Sequence, residues 1–201
     1  MIVTKVEPTT RSRSRIYVDE RRWCMLYDKE LFRYSLQEGQ PISDSVYAEI
    51  MQEVLTKRAK RRVLYLLRSM DRTEQQLRQK LKEGDYPEEI IDTAIAYVQK
   101  LHYQDDRRYA SGYVEYRKKN RSRLQLKQEL YRKGIAADMT KEILEEYSTE
   151  EERDAIRGWI CRKGYNPAEA TPEAQRKMYG FLMRKGFRME DVLAAMRMEQ
   201  F

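Results

Sequence analysis

The sequence predicts a mainly α-helical fold: three tandem three-helix repeats in an elongated curved stack, behind a small amino-terminal β-hairpin or sheet. Three observations carry this. Thr73, Ser122 and Thr171 are spaced 49 residues apart, each placed as a helix N-cap, and the first two open T-x-x-Q and S-x-x-Q capping boxes. Leu77 and Leu81 after the first cap match Leu126 and Leu130 after the second and, past three inserted residues, Met178 and Leu182 after the third. The composition is 36% charged, with 15 Tyr but only 4 Phe, which argues against one large dry core and for small stacked units.

Taken in order, segments 2–6, 14–18 and 23–27 are short and rich in Ile, Val, Tyr and Trp, so they read as strands. Asp19-Glu20-Arg21-Arg22 closes a hairpin between the last two, a short helix follows over 28–36, and Gly39-Gln40-Pro41 turns the chain. This module, residues 1–42, reads either as a docking element or as a cap on the open end of the helical stack. Repeat 1 spans 43–103. Its first helix is capped by Ser43 or Asp44 and carries Ile50, Val54 and the run Lys57, Arg58, Lys60, Arg61, Arg62, as one helix or two. Repeat 2 spans 104–149 and repeat 3 spans 150–201.

In each repeat a glycine, Gly84, Gly134 or Gly186, closes the second helix. An apolar residue (Tyr86, Ile135, Phe187) follows, and then a third helix with acids in its first turn: Glu88 and Glu89, Asp138, Glu190 and Asp191. Its apolar positions are Ile90, Ile91 and Ile95, then Met139, Ile143 and Leu144, then Val192 and Met196. Segment 148–170, with Gly158, Trp159, Gly164 and Asn166-Pro167, predicts a shorter first helix and a longer loop in repeat 3.

Charge is concentrated at the centre. Between positions 107 and 133 ten basic residues face two acids, a local +8 in a chain of net +7, so the remainder is close to neutral. Arg108, Tyr116, Arg117, Lys118, Lys119, Arg121, Arg123, Lys127, Arg132 and Lys133 make the helical hairpin 105–135 a candidate anion surface. The run Lys57, Arg58, Lys60, Arg61, Arg62 is a secondary patch that reads equally as a solvated helix face. Tyr109, Tyr113 and Tyr116 share a helix face; the first two read as core, with Leu124, Leu126 and Leu130 facing them.

No chemistry-bearing constellation stands out. The pair Asp105 and Asp106 lacks further oxygens for a metal and reads as a cap, and the single histidine, His102, reads as packing. No phosphate-cradling glycine loop, G-x-S-x-G or His/acid cluster is present, so neither catalytic residues nor cofactor or metal are expected. Cys24 and Cys161 stand alone and no long apolar run occurs, which predicts a soluble cytoplasmic protein with no membrane contact, most simply a monomer. A pI near 9.3 points to an anionic partner.

Several of these stretches together carry a family resemblance. LLRSMDRTEQQLRQKLKEGDYPEEIIDTAIAYVQKL, then Asp105-Asp106-Arg107-Arg108-Tyr109-Ala110 leading to Tyr113-Val114, then Glu129-Leu130 and Lys133-Gly134-Ile135, resemble the RecX family of recombinase regulators. The stretch RIYVDERRWCMLYDKELFRYSLQEG is similar to the hairpin and helix that some members carry before the repeats. Where many members place a glycine before the second repeat's second helix, this chain has Asn120-Arg121. The resemblance implies binding to the RecA recombinase filament, along its groove, with depressed ATP hydrolysis and strand exchange. It thereby implies a role in homologous recombination, DNA repair and the SOS response. The basic surface would meet single- or double-stranded DNA through phosphates. The alternative is a general helical DNA- or RNA-binding protein that needs no recombinase.

Overall fold

In the computed structural model, which describes residues 1–9 and 12–197, three antiparallel strands precede a series of helices grouped in threes. The expectations on 10–11 and 198–201 lie outside the described residues. The chain divides into two units, Met1–Asp105 and Asp106–Phe201.

In the first unit, β1 (Val3–Pro8), β2 (Arg13–Val18) and β3 (Arg21–Tyr27) pair in sequence order. The β2–β3 turn is tighter than the sequence suggests: only Asp19 and Glu20 leave the strands, at φ 47° and 65°, the two left-handed residues that suit a twisted hairpin. Val3, Ile16, Val18, Trp23, Cys24 and Leu26 are buried, and Trp23 stacks on Tyr47 at 4.8 Å, so the sheet shares one core with the helices that follow.

α1 (Asp28–Arg33) is short. Ser43 then caps α2 (Asp44–Glu49) by accepting from the Val46 amide. A π-helical segment, Ile50–Thr56, and α3 (Lys57–Ser69) continue α2 without a break, which settles the choice between one helix and two in favour of one run. Ile50, Met51, Leu55, Ala59, Val63 and Leu66 line its buried side. α4 (Glu74–Lys82) and α5 (Glu88–Lys100) complete repeat 1.

The turn between α4 and α5 departs from the expected glycine closure. Gly84 is not the left-handed residue; Asp85 is, at φ 59°, four positions after Leu81, where Gly134 and Gly186 stand four after Leu130 and Leu182. Gly84 is required by space instead, since a Cβ there would lie 2.9 Å from Tyr86 Cε2. Asp85 tolerates its conformation because its buried carboxylate is held from two sides, one oxygen accepting from Arg15 Nε at 3.0 Å and the other facing Arg22. The carboxylate thereby ties the sheet to repeat 1.

The second unit holds repeats 2 and 3. α6 (Asp106–Arg117), a 3₁₀ turn (Lys118–Asn120), α7 (Arg123–Arg132) and α8 (Ala137–Glu145) bury Ala110, Val114, Leu126, Leu130, Ile143 and Leu144 together. Tyr109 and Tyr113 pack against this core, whereas Leu124, expected on the inward face, is 49% exposed: it follows the N-cap by two, off the stripe that Leu126 and Leu130 define. His102, expected to pack, is exposed at φ 55° in the loop before α6.

α9 (Thr149–Arg162), α10 (Pro172–Arg184) and α11 (Met189–Arg197) form repeat 3. The longer loop, 163–171, is present, but α9 is not short. At 14 residues it exceeds the 12 of α6, because Ser148 and Glu151 form a capping box that starts it at the very beginning of the segment. The three inserted residues lie within α10, close to one added turn, so Met178 and Leu182 keep the inward face.

Candidate nucleic-acid interface

The basic hairpin separates into charges that acids hold and charges that they do not. Lys118 reaches Glu115 and also Glu151, the latter at 2.7 Å; the two carboxylates raise its amine above the ordinary lysine value, and Lys118 in turn lowers Glu151. Arg121 Nε donates to Glu129 at 3.0 Å, and the Tyr113 hydroxyl donates to the same carboxylate at 2.7 Å. Burial and this bond push Tyr113 up to about 12; burial would also raise Glu129, but the Tyr113 hydroxyl and Arg121 outweigh it and leave the carboxyl below its ordinary value. Arg123 is built into the fold: its amide donates to buried Glu152 at 2.9 Å and its guanidinium reaches the Tyr147 carbonyl and lies over the Tyr147 ring. Arg107 pairs with Glu142.

The other predicted residues are dispersed. Lys127 and Arg132 are exposed on α7, Lys133 lies over Tyr113 at 4.8 Å, and Arg108 occupies the first turn of α6. Of the secondary patch, Lys57 pairs with Glu53, Arg58 with Glu30, and Lys60 lies over Tyr97 at 4.8 Å, while Arg61 and Arg62 remain exposed.

A different gathering forms where repeats 2 and 3 meet. Ser122, besides capping α7, donates to the Lys185 carbonyl at 2.7 Å, and Gly186 packs so closely that a Cβ there would lie 3.1 Å from Leu124 Cδ2. The Trp159 indole N–H donates to the Asn120 carbonyl at 3.2 Å. The turn that lacks the glycine needs none, since Arg121 is extended at φ −128° and Asn120 closes a 3₁₀ turn.

These contacts bring Lys185 to 4.2 Å and Arg162 to 4.4 Å from the Trp159 ring centroid, and Lys163 to 5.1 Å from that of Phe181. A cleft of about 580 Å³ opens beside them, lined by Tyr116, Arg117, Lys119, Arg121, Trp159 and Arg162, with no carboxylate in its wall. Tyr116 is 79% exposed at its mouth. Lys119, Arg162, Lys163 and Lys185 have no acid within ion-pair distance among the described residues. Burial, then Arg121, Lys163 and Arg162, hold the Lys185 amine below the ordinary lysine value. A cation cluster raised in energy by its own members lowers that energy when an anion enters.

Sequence reasoning missed Trp159, Arg162, Lys163 and Lys185. The available signal was local: Trp159 with Arg162 and the C-cap Lys163 at i+3 and i+4 at the end of α9, and Phe181 with the C-cap Lys185 at i+4 at the end of α10. Among the described residues no group of three or more His, Cys, Asp or Glu is placed to hold a metal, and no helix is long and apolar enough to cross a membrane.

Fold and surface together define a tandem three-helix repeat protein with an aromatic-lined cationic face. Models of the first, second and third three-helix domains of RecX match residues 59–97, 105–144 and 150–196. The chain belongs to the RecX family. Regulatory protein RecX of Clostridium acetobutylicum is 26% identical over 197 residues, covering 94% of this chain and 92% of that one. That of Clostridium tetani is 29% identical over 197 residues, covering 94% and 90%. A crystal structure of regulatory protein RecX superposes with a TM-score of 0.62 at 23% identity, over 94% of this chain and 96% of that one. RecX from Lactobacillus salivarius gives 0.63 at 20% identity, over 72% and 96%.

Proposed function

We propose that this protein binds the RecA recombinase on its nucleoprotein filament and lowers its ATP hydrolysis and strand exchange, as a non-catalytic cytoplasmic regulator acting as a monomer. Membership of a family of regulatory proteins supports the reading. The observation that carries it is the gathering of Lys119, Arg162, Lys163 and Lys185 around Trp159 and Phe181 without acid partners among the described residues. Such a surface suits the phosphates of a filament's DNA, with Arg117 and the exposed Tyr116 extending it. Arg108, Lys127, Arg132 and Lys133 are then peripheral contributors, and Lys118, Arg121 and Arg123 chiefly fix the hairpin's geometry.

The second reading, a general nucleic-acid binder, draws on the same aromatic and cationic interleaving. One experiment separates the two: recombinase ATP hydrolysis on single-stranded DNA is followed with added protein, alongside direct binding to the bare strand. Inhibition at concentrations well below those that coat bare DNA is the expected result. Binding to bare DNA with no effect on filament ATP hydrolysis favours the general binder and overturns the regulatory reading.

A further inference from the structure

A second cleft, of about 690 Å³, lies within the first unit between β2 and β3 on one side and α3 and α4 on the other. Arg13, Arg58, Arg61, Arg62 and Lys80 converge on it from three elements, against one carboxylate, Glu83, which Lys80 already holds at 2.7 Å. Arg58 is anchored by Glu30 and by the Met25 carbonyl and lies 4.8 Å from the Tyr27 ring centroid. Arg13 lies 5.9 Å from the same ring, and its Nε is buried without a hydrogen-bond partner among the described residues. Arg61 and Arg62 have no acid within ion-pair distance among the described residues. Met25, Tyr27, Leu66 and Tyr86 supply an apolar floor, and the Tyr86 ring lies so close to Gly84 that no side chain fits there.

The guanidinium groups of Arg13, Arg61 and Arg62, gathered in one cleft with no ion-paired carboxylate among the described residues, call for a tetrahedral oxyanion, whose oxygens match the fork of each arginine. The volume exceeds what one phosphate fills and suits a small ligand with an aromatic ring. We propose that this cleft binds a nucleoside phosphate, with the phosphate on Arg13, Arg61 and Arg62 and the base against Tyr27 and Tyr86. The source is either a free nucleotide or a nucleotide within a single strand. The amino-terminal sheet then does more than cover a core, because it supplies Arg13 and Tyr27 and is held in place by Asp85 through Arg15 and Arg22. This site is independent of the repeat 2–repeat 3 surface and of any recombinase.

The test follows the arginine Nε–H signals of the full-length isotope-labelled protein by NMR during titration with ADP, inorganic phosphate, a short oligothymidylate and an oligoglutamate peptide. Saturable shifts of Arg13, Arg61 and Arg62 with ADP support a free nucleotide, and shifts with the oligothymidylate alone support the strand. The variant Arg13→Ala with Arg62→Ala should weaken that binding at least tenfold. Asp85→Gly, which suits the left-handed position yet frees the sheet, should weaken it less, and Lys141→Ala, at an exposed position on α8, should leave it unchanged. The proposal is overturned if neither nucleotide ligand shifts these signals saturably, if oligoglutamate matches them, or if the double arginine variant binds as before.

Discussion

The basic hairpin of repeat 2 and the Trp159 edge shared with repeat 3 carry the same kind of charge in opposite states. In the hairpin, Lys118, Arg121 and Arg123 are tied to Glu151, Glu129 and Glu152, three acids of which two come from α9. At the edge, Arg162, Lys163 and Lys185 crowd two aromatic rings with no acid within ion-pair distance among the described residues. Of the hairpin's +8, which already counts Glu115 and Glu129, acids outside it (Glu142, Glu151 and Glu152) therefore answer only a part, while the ends of α9 and α10 bring further cations beside Lys119. Counting charge along a chain does not give the field at its surface, because pairing is decided by which helix faces which.

The sharpest way to break the comparison is to remove the hairpin's support. Leu130 is fully buried, so Leu130→Ala should lower unfolding free energy by about 2–5 kcal/mol, read from denaturant midpoints, and weaken filament inhibition as the hairpin loosens. Next, Arg123→Ala leaves Glu152 buried without its guanidinium neighbour and should cost about 1–3 kcal/mol, whereas Lys127→Ala on the same helix should cost under about 0.5 kcal/mol. A loss at Arg123 no larger than at Lys127 would mean that the hairpin's charges are not structural.

A smaller effect sharpens the contrast through pH. Glu129 titrates below its ordinary value of 4.5, so the folded state binds the proton less tightly than the unfolded state does. The stability that this confers is present above pH 4.5 and is lost as pH falls through the lower folded value. Glu129→Gln should cost about 1 kcal/mol at neutral pH and flatten that part of the stability profile. Lys185 has the opposite sign: its lowered pKa disfavours the folded state wherever the amine is charged, so Lys185→Met should leave stability unchanged or slightly raised, within about 0.5 kcal/mol.

What the sequence disclosed tracks how local the responsible physics is. Thr73, Ser122 and Thr171 were readable as caps because a hydroxyl satisfies an amide three residues on, whatever surrounds it. Leu77, Leu81, Leu126, Leu130 and Leu182 followed from period alone, whereas Leu124, off that period, was misplaced. Asp85 is not legible as the counterpart of Gly134, because its left-handed backbone is tolerated for a contact with Arg15, 70 residues away in the chain. The Trp159 cluster was hidden for the same reason, since it needs Asn120, Ser122 and Lys185 brought together by packing between repeats.

The central claim, that the acid-free edge is the anion-binding surface, is tested most directly by the salt dependence of binding to single-stranded DNA and to the recombinase filament. Each phosphate that is no longer neutralised should lower the log–log slope by roughly 0.7–0.9. Lys119→Ala, Arg162→Ala, Lys163→Ala and Lys185→Ala combined, in a protein still folded by circular dichroism, should reduce that slope by roughly two to four units and sharply weaken inhibition of ATP hydrolysis. An unchanged slope and full inhibition in the folded variant would contradict the account.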